Sequence, residues 1–348
     1  VDQTRQLLTA VTMGIPARDR VYNEIKMRGS VRFPAVTVKQ ILGDSAQNSM
    51  LGSYALPGIF TYDAWDQYVK EAINQAANNP TDTQDWVLNT SQSDDLTFSG
   101  SPDQISKQLT ELYKQEYIAE WRKFLNGVHY GKGNDVAQQV KFIDVLGEPE
   151  NSPIRKVVDR IAKETSWDNP IVQAELAAPQ KGFVAWFKRK VLSRDDAQQA
   201  QQVAARAGQG VIAKEFNVFY QLVRKRDDQQ NKSIMDEYMQ SLGQVRSKFN
   251  DLKTSGDMGP ASMTLVKQTI NDQSSVFNAT QKFVDEKMSV GLNELDQQMI
   301  QKLFMQPVTQ SFEVLLIPAQ NEINKLWAMQ AYQPFTTNLA PKYPFNSN

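Results

Sequence analysis

The sequence contains no cysteine and a single histidine, His129. Without cysteine there is no disulfide framework, no thiolate metal site and no cysteine nucleophile. That absence fits a reducing or an oxidising compartment alike. With one histidine, a His-rich metal site is excluded and any histidine-based triad depends on that residue. Long hydrophobic runs are also missing: none approaches the ~20 residues of a membrane span. The longest uncharged stretch, Ser45 to Tyr62, is interrupted by Gln47, Asn48, Gly52 and Pro57 and reads as loop and turn. Net charge is close to zero, with 38 basic against 39 acidic residues. Nothing in that balance recruits nucleic acid or an anionic membrane. Neither G-x-S-x-G nor S-x-x-K occurs. Gly131-Lys132-Gly133 lacks the G-x-x-x-x-G-K-[ST] spacing of a phosphate loop. The chain opens Val1-Asp2, with no initiating methionine and no signal peptide, and is expected to be an excerpt of a longer protein.

What the sequence has in quantity is helical periodicity. The strongest stretch is 105–125. Ile105, Leu109, Leu112, Tyr113, Tyr117, Trp121, Phe124 and Leu125 recur at steps of three and four, the period of a helix that buries one broad face. Ser101-Pro102-Asp103 supplies the start signal and Gly127 the stop. Lys107, Glu111, Lys114, Glu120 and Lys123 are expected on the solvated face. Four aromatic residues on one helix make a large apolar surface, around which other helices are expected to pack.

The rest of the chain follows the same logic. Residues 1–28 read as two helices broken at Gly14-Ile15-Pro16, and 31–42 as a short edge strand limited by Pro34. Leu56-Pro57-Gly58-Ile59-Phe60 is a turn, and Thr61 caps a helix through Trp65, Tyr68, Val69 and Ile73. Helices follow from Asp135 to Leu146 and, after Asn151-Ser152-Pro153, through Ile154, Val157, Val158 and Ile161. Pro170, Pro179 and Gly182 mark a boundary between an N-terminal helical region, 1–175, and a C-terminal bundle, 176–345. The second region reads as helices at 195–226, 231–253, 261–288, 291–305 and 308–330, with Pro307 and Pro318 near the last two. The expected fold is mainly α: an elongated multi-helix bundle with a few short strands in the N-terminal half.

Candidate chemistry is sparse. His129 reads as a structural or surface histidine. Glu116 and Glu120, at i and i+4, are a carboxylate pair on one helix. A glycosidase needs two carboxyls across a cleft, so surface charge is the favoured reading. Lys188-Arg189-Lys190 and Arg194 flank Trp186 and Phe187. They could meet an anionic surface but fit the solvated side of a short helix better. Trp327 is expected to be a core anchor. Asn89-Thr90-Ser91, Asn231-Lys232-Ser233 and Asn278-Ala279-Thr280 match a glycosylation sequon. No catalytic, cofactor-binding or metal-binding residue is assigned. From the residues alone, the sequence describes a helical scaffold that works through surfaces. The alternatives are an enzyme acting on cell-wall glycan and a periplasmic solute- or effector-binding module.

Four segments, in order, carry a resemblance. They are Leu56-Pro57-Gly58-Ile59-Phe60-Thr61; Leu112-Tyr113 with Glu116-Tyr117-Ile118 and Trp121; Asn151-Ser152-Pro153-Ile154 leading to Glu164-Thr165; and Ile323-Asn324-Lys325-Leu326-Trp327 leading to Tyr343-Pro344-Phe345. Together they resemble the periplasmic portion of the IcmF/TssM proteins of bacterial type VI secretion systems. The resemblance implies a structural subunit of an envelope-spanning complex, anchored in the inner membrane by segments upstream. The implied partners are further copies of itself in an oligomeric ring, an outer-membrane lipoprotein (TssJ) and the inner-membrane protein TssL. It also implies that a β-rich lipoprotein-docking domain follows the Tyr-Pro-Phe element, outside this chain.

Overall fold

The computed structural model describes residues 17–46, 48–78, 101–169, 210–225 and 232–342. Within them the protein is mainly helical, with one two-stranded antiparallel sheet in the N-terminal half, as the periodicity expects. The helices are α1 (Ala17–Arg32), α2 (Val38–Leu42), α3 (Tyr62–Ala64), α4 (Lys70–Asn78), α5 (Pro102–Gly127), α6 (Val136–Leu146) and α7 (Pro153–Thr165). Then come α8 (Val211–Glu215), α9 (Asn217–Val223), α10 (Ile234–Thr254), α11 (Met258–Asn271), α12 (Val276–Phe283), α13 (Glu294–Ile300) and α14 (Gln306–Trp327). Wider π turns join several of them: Trp65–Val69 links α3 to α4, and Gln301–Met305 links α13 to α14. The chain divides into two compact units, each built from separate stretches of sequence. One takes in 1–40, 53–127 and 160–220; the other takes in 41–52, 128–159 and 221–348.

Capping explains where the helices start. Thr61 Oγ1 accepts from the Ala64 amide at 3.3 Å, and Asp135 Oδ1 accepts from the Gln138 amide at 2.7 Å. Ser233 and Asp236 form a reciprocal capping box at the head of α10. Ser152 Oγ donates to the Leu146 carbonyl at 2.7 Å and accepts from the Ile154 amide at 3.2 Å, closing the turn into α7.

The edge strand expected at 31–42 is absent. Val31 and Arg32 continue α1, and Val38–Leu42 is helical. Pro34 has no amide to give a ladder, and only Val36 pairs, exchanging bonds of 2.8 and 2.9 Å with Leu56. The strands lie elsewhere. β1 (Met50–Gly52), inside the stretch read as loop, pairs with β2 (Val128–Tyr130), and Leu51 faces His129. Three residues per strand are too few to show alternation. The expected helix over 195–226 is seen only as the short α8 and α9, broken at Phe216; 195–209 lie outside the described residues.

In the second unit, α11 lies along α14, and α10 packs on α6 and α12. Tyr238, Phe249, Phe277 and Phe304 are buried at its centre. Tyr238 meets Phe304 edge to face at 4.8 Å, and Phe277 meets Phe312 at 5.4 Å. Pro307 has no N–H, so the Leu303 carbonyl one turn earlier loses its usual helical donor. The buried Tyr130 hydroxyl supplies one instead. Tyr238 does the same for the neighbouring Phe304 carbonyl at 2.8 Å.

Candidate functional site

The long aromatic helix α5 organises the first unit. Tyr113, Tyr117 and Trp121 are each 0% exposed and Phe124 is 1% exposed. Their steps of four and three keep them on one face. That face grips the segment Leu56–Thr61 by its main chain. The Tyr113 hydroxyl donates to the Ile59 carbonyl at 2.9 Å, and the Trp121 indole N–H donates to the Phe60 carbonyl at 2.9 Å. Phe60 stacks on Tyr113 (5.7 Å, 29°) and meets Tyr117 edge-on (6.3 Å, 87°). Each buried aromatic thus combines apolar area with a satisfied polar tip. Gly58 and Gly29 make the close approach possible. A Cβ on Gly58 would lie 2.1 Å from the Pro34 carbonyl oxygen, and one on Gly29 would lie 2.0 Å from the Ile59 side chain.

Glu164 closes the same framework. Its carboxylate accepts from the Tyr62 amide at 2.6 Å and pairs with Arg160 at 2.9 Å, while its main-chain carbonyl accepts from the Tyr117 hydroxyl at 2.6 Å. Burial pushes its carboxyl above the ordinary value, opposed by the Tyr62 N–H and Arg160. Burial also drives the Tyr113 and Tyr117 phenols well above their ordinary range, so both act as neutral donors. Trp65 stacks between Tyr113 (5.3 Å) and Trp167 (4.6 Å).

Glu116 and Glu120 belong to this framework too. Glu116 accepts from the Tyr22 hydroxyl at 2.7 Å and pairs with Lys26 at 2.9 Å. Glu120, expected to be solvated, is buried: it accepts from the Tyr54 hydroxyl and pairs with Lys123 at 2.7 Å. Burial and the Glu120 carboxylate push the Tyr54 phenol up to about 12. Lys114, also expected on the wet face, reaches the buried carboxylate of Asp168 at 3.0 Å. Asp168 in turn accepts from the Ile212 and Ala213 amides at 3.2 and 2.8 Å, fastening α8. Periodicity missed Trp167, Asp168 and Glu164, because the partners of each are distant in sequence. The one available signal was a tryptophan beside an aspartate in an otherwise polar stretch.

Other sequence candidates sit apart. His129 lies mid-strand on β2. Lys132 pairs with Glu313 at 2.8 Å beside a cleft of about 440 Å³ lined by Asn134, Val136, Val314, Ile317 and Asn321. Asn278 spends its side-chain amide on the Thr269 and Asp272 carbonyls, at 2.7 and 3.0 Å. Asn89, Asn231, Lys188, Arg189, Lys190 and Arg194 lie outside the described residues. Trp327 is not a core anchor: it is 60% exposed, because α14 has no buried residue beyond Glu322. Among the described residues no group of three or more histidines and carboxylates could hold a metal ion. No described helix is long and apolar enough to cross a membrane.

Comparison with known proteins covers nearly the whole chain. Residues 1–166 match the family model described as IcmF-related, intracellular multiplication and human macrophage-killing. Over 344 residues the chain is 20% identical to the type VI secretion system component TssM1 of Pseudomonas aeruginosa, covering 95% of this chain and 29% of that protein. Two solved structures share the fold. A chain of a type VI secretion system membrane core complex aligns with a TM-score of 0.67 at 16% identity. A chain of a type VI membrane complex aligns with a TM-score of 0.56 at 17% identity. Each alignment covers 95% of this chain and 56% of the other. The chain therefore spans just over half the length of those solved chains and less than a third of the curated relative.

Proposed function

The chain is a member of the IcmF/TssM family through its first 166 residues, and we propose that it is a structural component of a type VI secretion membrane complex. It acts as a scaffold through protein–protein contacts and performs no catalysis. One observation carries this reading. The most elaborate polar and aromatic constellation in the first unit is turned wholly inward. The Tyr113, Tyr117 and Trp121 donors, the Glu164 carboxylate and the Glu116 and Glu120 pair each hold another part of the fold. A catalytic carboxylate pair needs free oxygens facing a substrate; these oxygens hold tyrosines and lysines. A load-bearing helical wall needs what the framework supplies, a rigid packed core on long elements.

The same reading places the chain on the periplasmic side of an inner-membrane-anchored protein. Its partners are then further copies in an oligomeric ring, the outer-membrane lipoprotein TssJ and the inner-membrane protein TssL. Crosslinking of the intact protein in the bacterial envelope tests it. Crosslinked species containing a second copy or another secretion subunit are expected. An intact protein that crosslinks to neither contradicts the scaffold reading. Release of soluble fragments from purified peptidoglycan, lost in Glu116→Gln, would replace it with an enzymatic one.

A further inference from the structure

The C-terminal stretch of the second unit is helical but carries almost no core. α14 continues through the π turns Ala328–Tyr332 and Phe335–Leu339, and no residue from Ile323 to Lys342 is buried. The large side chains here are instead exposed: Ile323 54%, Trp327 60%, Met329 57%, Tyr332 53% and Leu339 48%, with Leu316 at 44% one turn and a half earlier. Leu316, Ile323 and Trp327 follow one another at seven and four residues, which puts them on one helix face. The π turn then keeps the aromatic seam aligned. It brings Tyr332, five residues on, under Trp327, with the rings stacked at 5.5 Å and 25°. Helices in water draw most of their stability from packing an apolar face, and here that face meets nothing in its own unit.

We propose that this seam is a self-association surface, covered by the same seam of a second copy of the chain. The inference rests on the scaffold reading and deepens it by naming the surface. Two observations choose this occupant. The first is charge. From Val314 to Pro341 the only charged residues are Glu322 and Lys325, and they pair with each other at 3.4 Å. Two identical seams therefore meet without like-charge repulsion, and the seam offers neither a basic patch for anionic lipid nor charges for a charged partner. The second is area. The six exposed side chains present roughly 700 Å² of apolar surface, against the ~800 Å² that each partner of a standard interface buries.

Absence of native cysteine makes the test clean. Single-cysteine variants Gln320→Cys, Asn324→Cys and Gln330→Cys, all at exposed positions, are oxidised or bridged with a short bis-maleimide. Light scattering of the uncrosslinked chain is followed with concentration. The expected result is a concentration-dependent dimer and crosslinking at one or more of the three sites. Ile323→Lys/Trp327→Lys should weaken dimerisation at least tenfold and leave the melting temperature unchanged, because both side chains are exposed. A chain that stays monomeric throughout overturns the proposal. So does a dimer that the double lysine variant leaves intact, or a monomer that binds neutral phosphatidylcholine vesicles through this seam. The scaffold reading fails separately. If the full-length protein still crosslinks to secretion subunits in the envelope while the seam cysteines do not react, the seam assignment falls and the scaffold stands.

Discussion

Removing single donors from α5 should loosen Leu56–Thr61 by an amount that the geometry sets. Tyr113→Phe deletes only the hydroxyl that donates to the Ile59 carbonyl at 2.9 Å. The ring and its stack on Phe60 remain. The cost is then that of one buried acceptor losing its donor, about 1–2 kcal/mol. Trp121→Phe deletes the indole N–H to the Phe60 carbonyl and also shrinks a side chain that is 0% exposed. A donor lost together with a partial cavity should cost about 2–4 kcal/mol. The two carbonyls belong to adjacent residues, so the variants should not add. Once one anchor is gone the segment shifts, and the second anchor is worth less. A coupling of about 0.5–1.5 kcal/mol in the double mutant is expected. Urea titration of the four proteins, followed by tryptophan fluorescence and by far-UV circular dichroism, gives the free energies where the two signals coincide. Single costs below about 0.3 kcal/mol, or full additivity, would refute the idea that α5 holds this segment by its main chain.

Four further outcomes follow from the same geometry. Glu164 has a raised folded-state pKa, so the folded protein holds that proton more tightly than the unfolded chain does; stability attributable to it falls as pH rises through the window above 4.5, and Glu164→Gln should flatten that part of a melting-temperature profile. Asp168→Ala should cost about 3–5 kcal/mol by leaving Lys114 and the α8 amides without their partner, with hydrogen exchange at Ile212 and Ala213 accelerating first. Tyr130→Phe strands the Leu303 carbonyl and should cost about 1–3 kcal/mol, and Pro307→Ala, which returns a helical N–H, should recover part of that loss in the double variant. Asp236 is held below its ordinary pKa, where the Ser233 N–H and Arg155 outweigh burial; its share of stability should be lost as pH drops through the range below 3.8, a loss absent in Asp236→Asn.

The helices were legible because each carries its own period and caps. Ile105 to Leu125, Thr61, Asp135 and Ser233 all announce themselves locally. What joins them was not. Tyr113 and Ile59 are 54 residues apart in sequence, and Tyr62 and Glu164 are 102 apart, and no local pattern encodes such pairs. The same limit explains the charged residues. Helical phase placed Glu120 and Lys114 on the wet side, yet Tyr54 covers one and buried Asp168 recruits the other. Trp327 fails in the opposite direction. Its spacing with Ile323 is that of a core helix, but a period reports which face is apolar, not whether anything within the chain lies against it. The segments Leu56–Thr61, Tyr113–Trp121 and Glu164, which carried the family resemblance, are the ones that meet in the aromatic framework. Residues buried against one another across the chain are a plausible physical source of such a joint signature.

The account's central claim is that the carboxylates of α5 hold the fold and do no chemistry. Type VI secretion by the full-length protein carrying Glu116→Gln and Glu120→Gln together tests it most directly, with protein abundance measured in the same cells. Glutamine still accepts from the Tyr22 and Tyr54 hydroxyls, so a small loss of stability and secretion in proportion to the folded protein present are predicted. Abundant, folded and assembled protein that no longer supports secretion would contradict it.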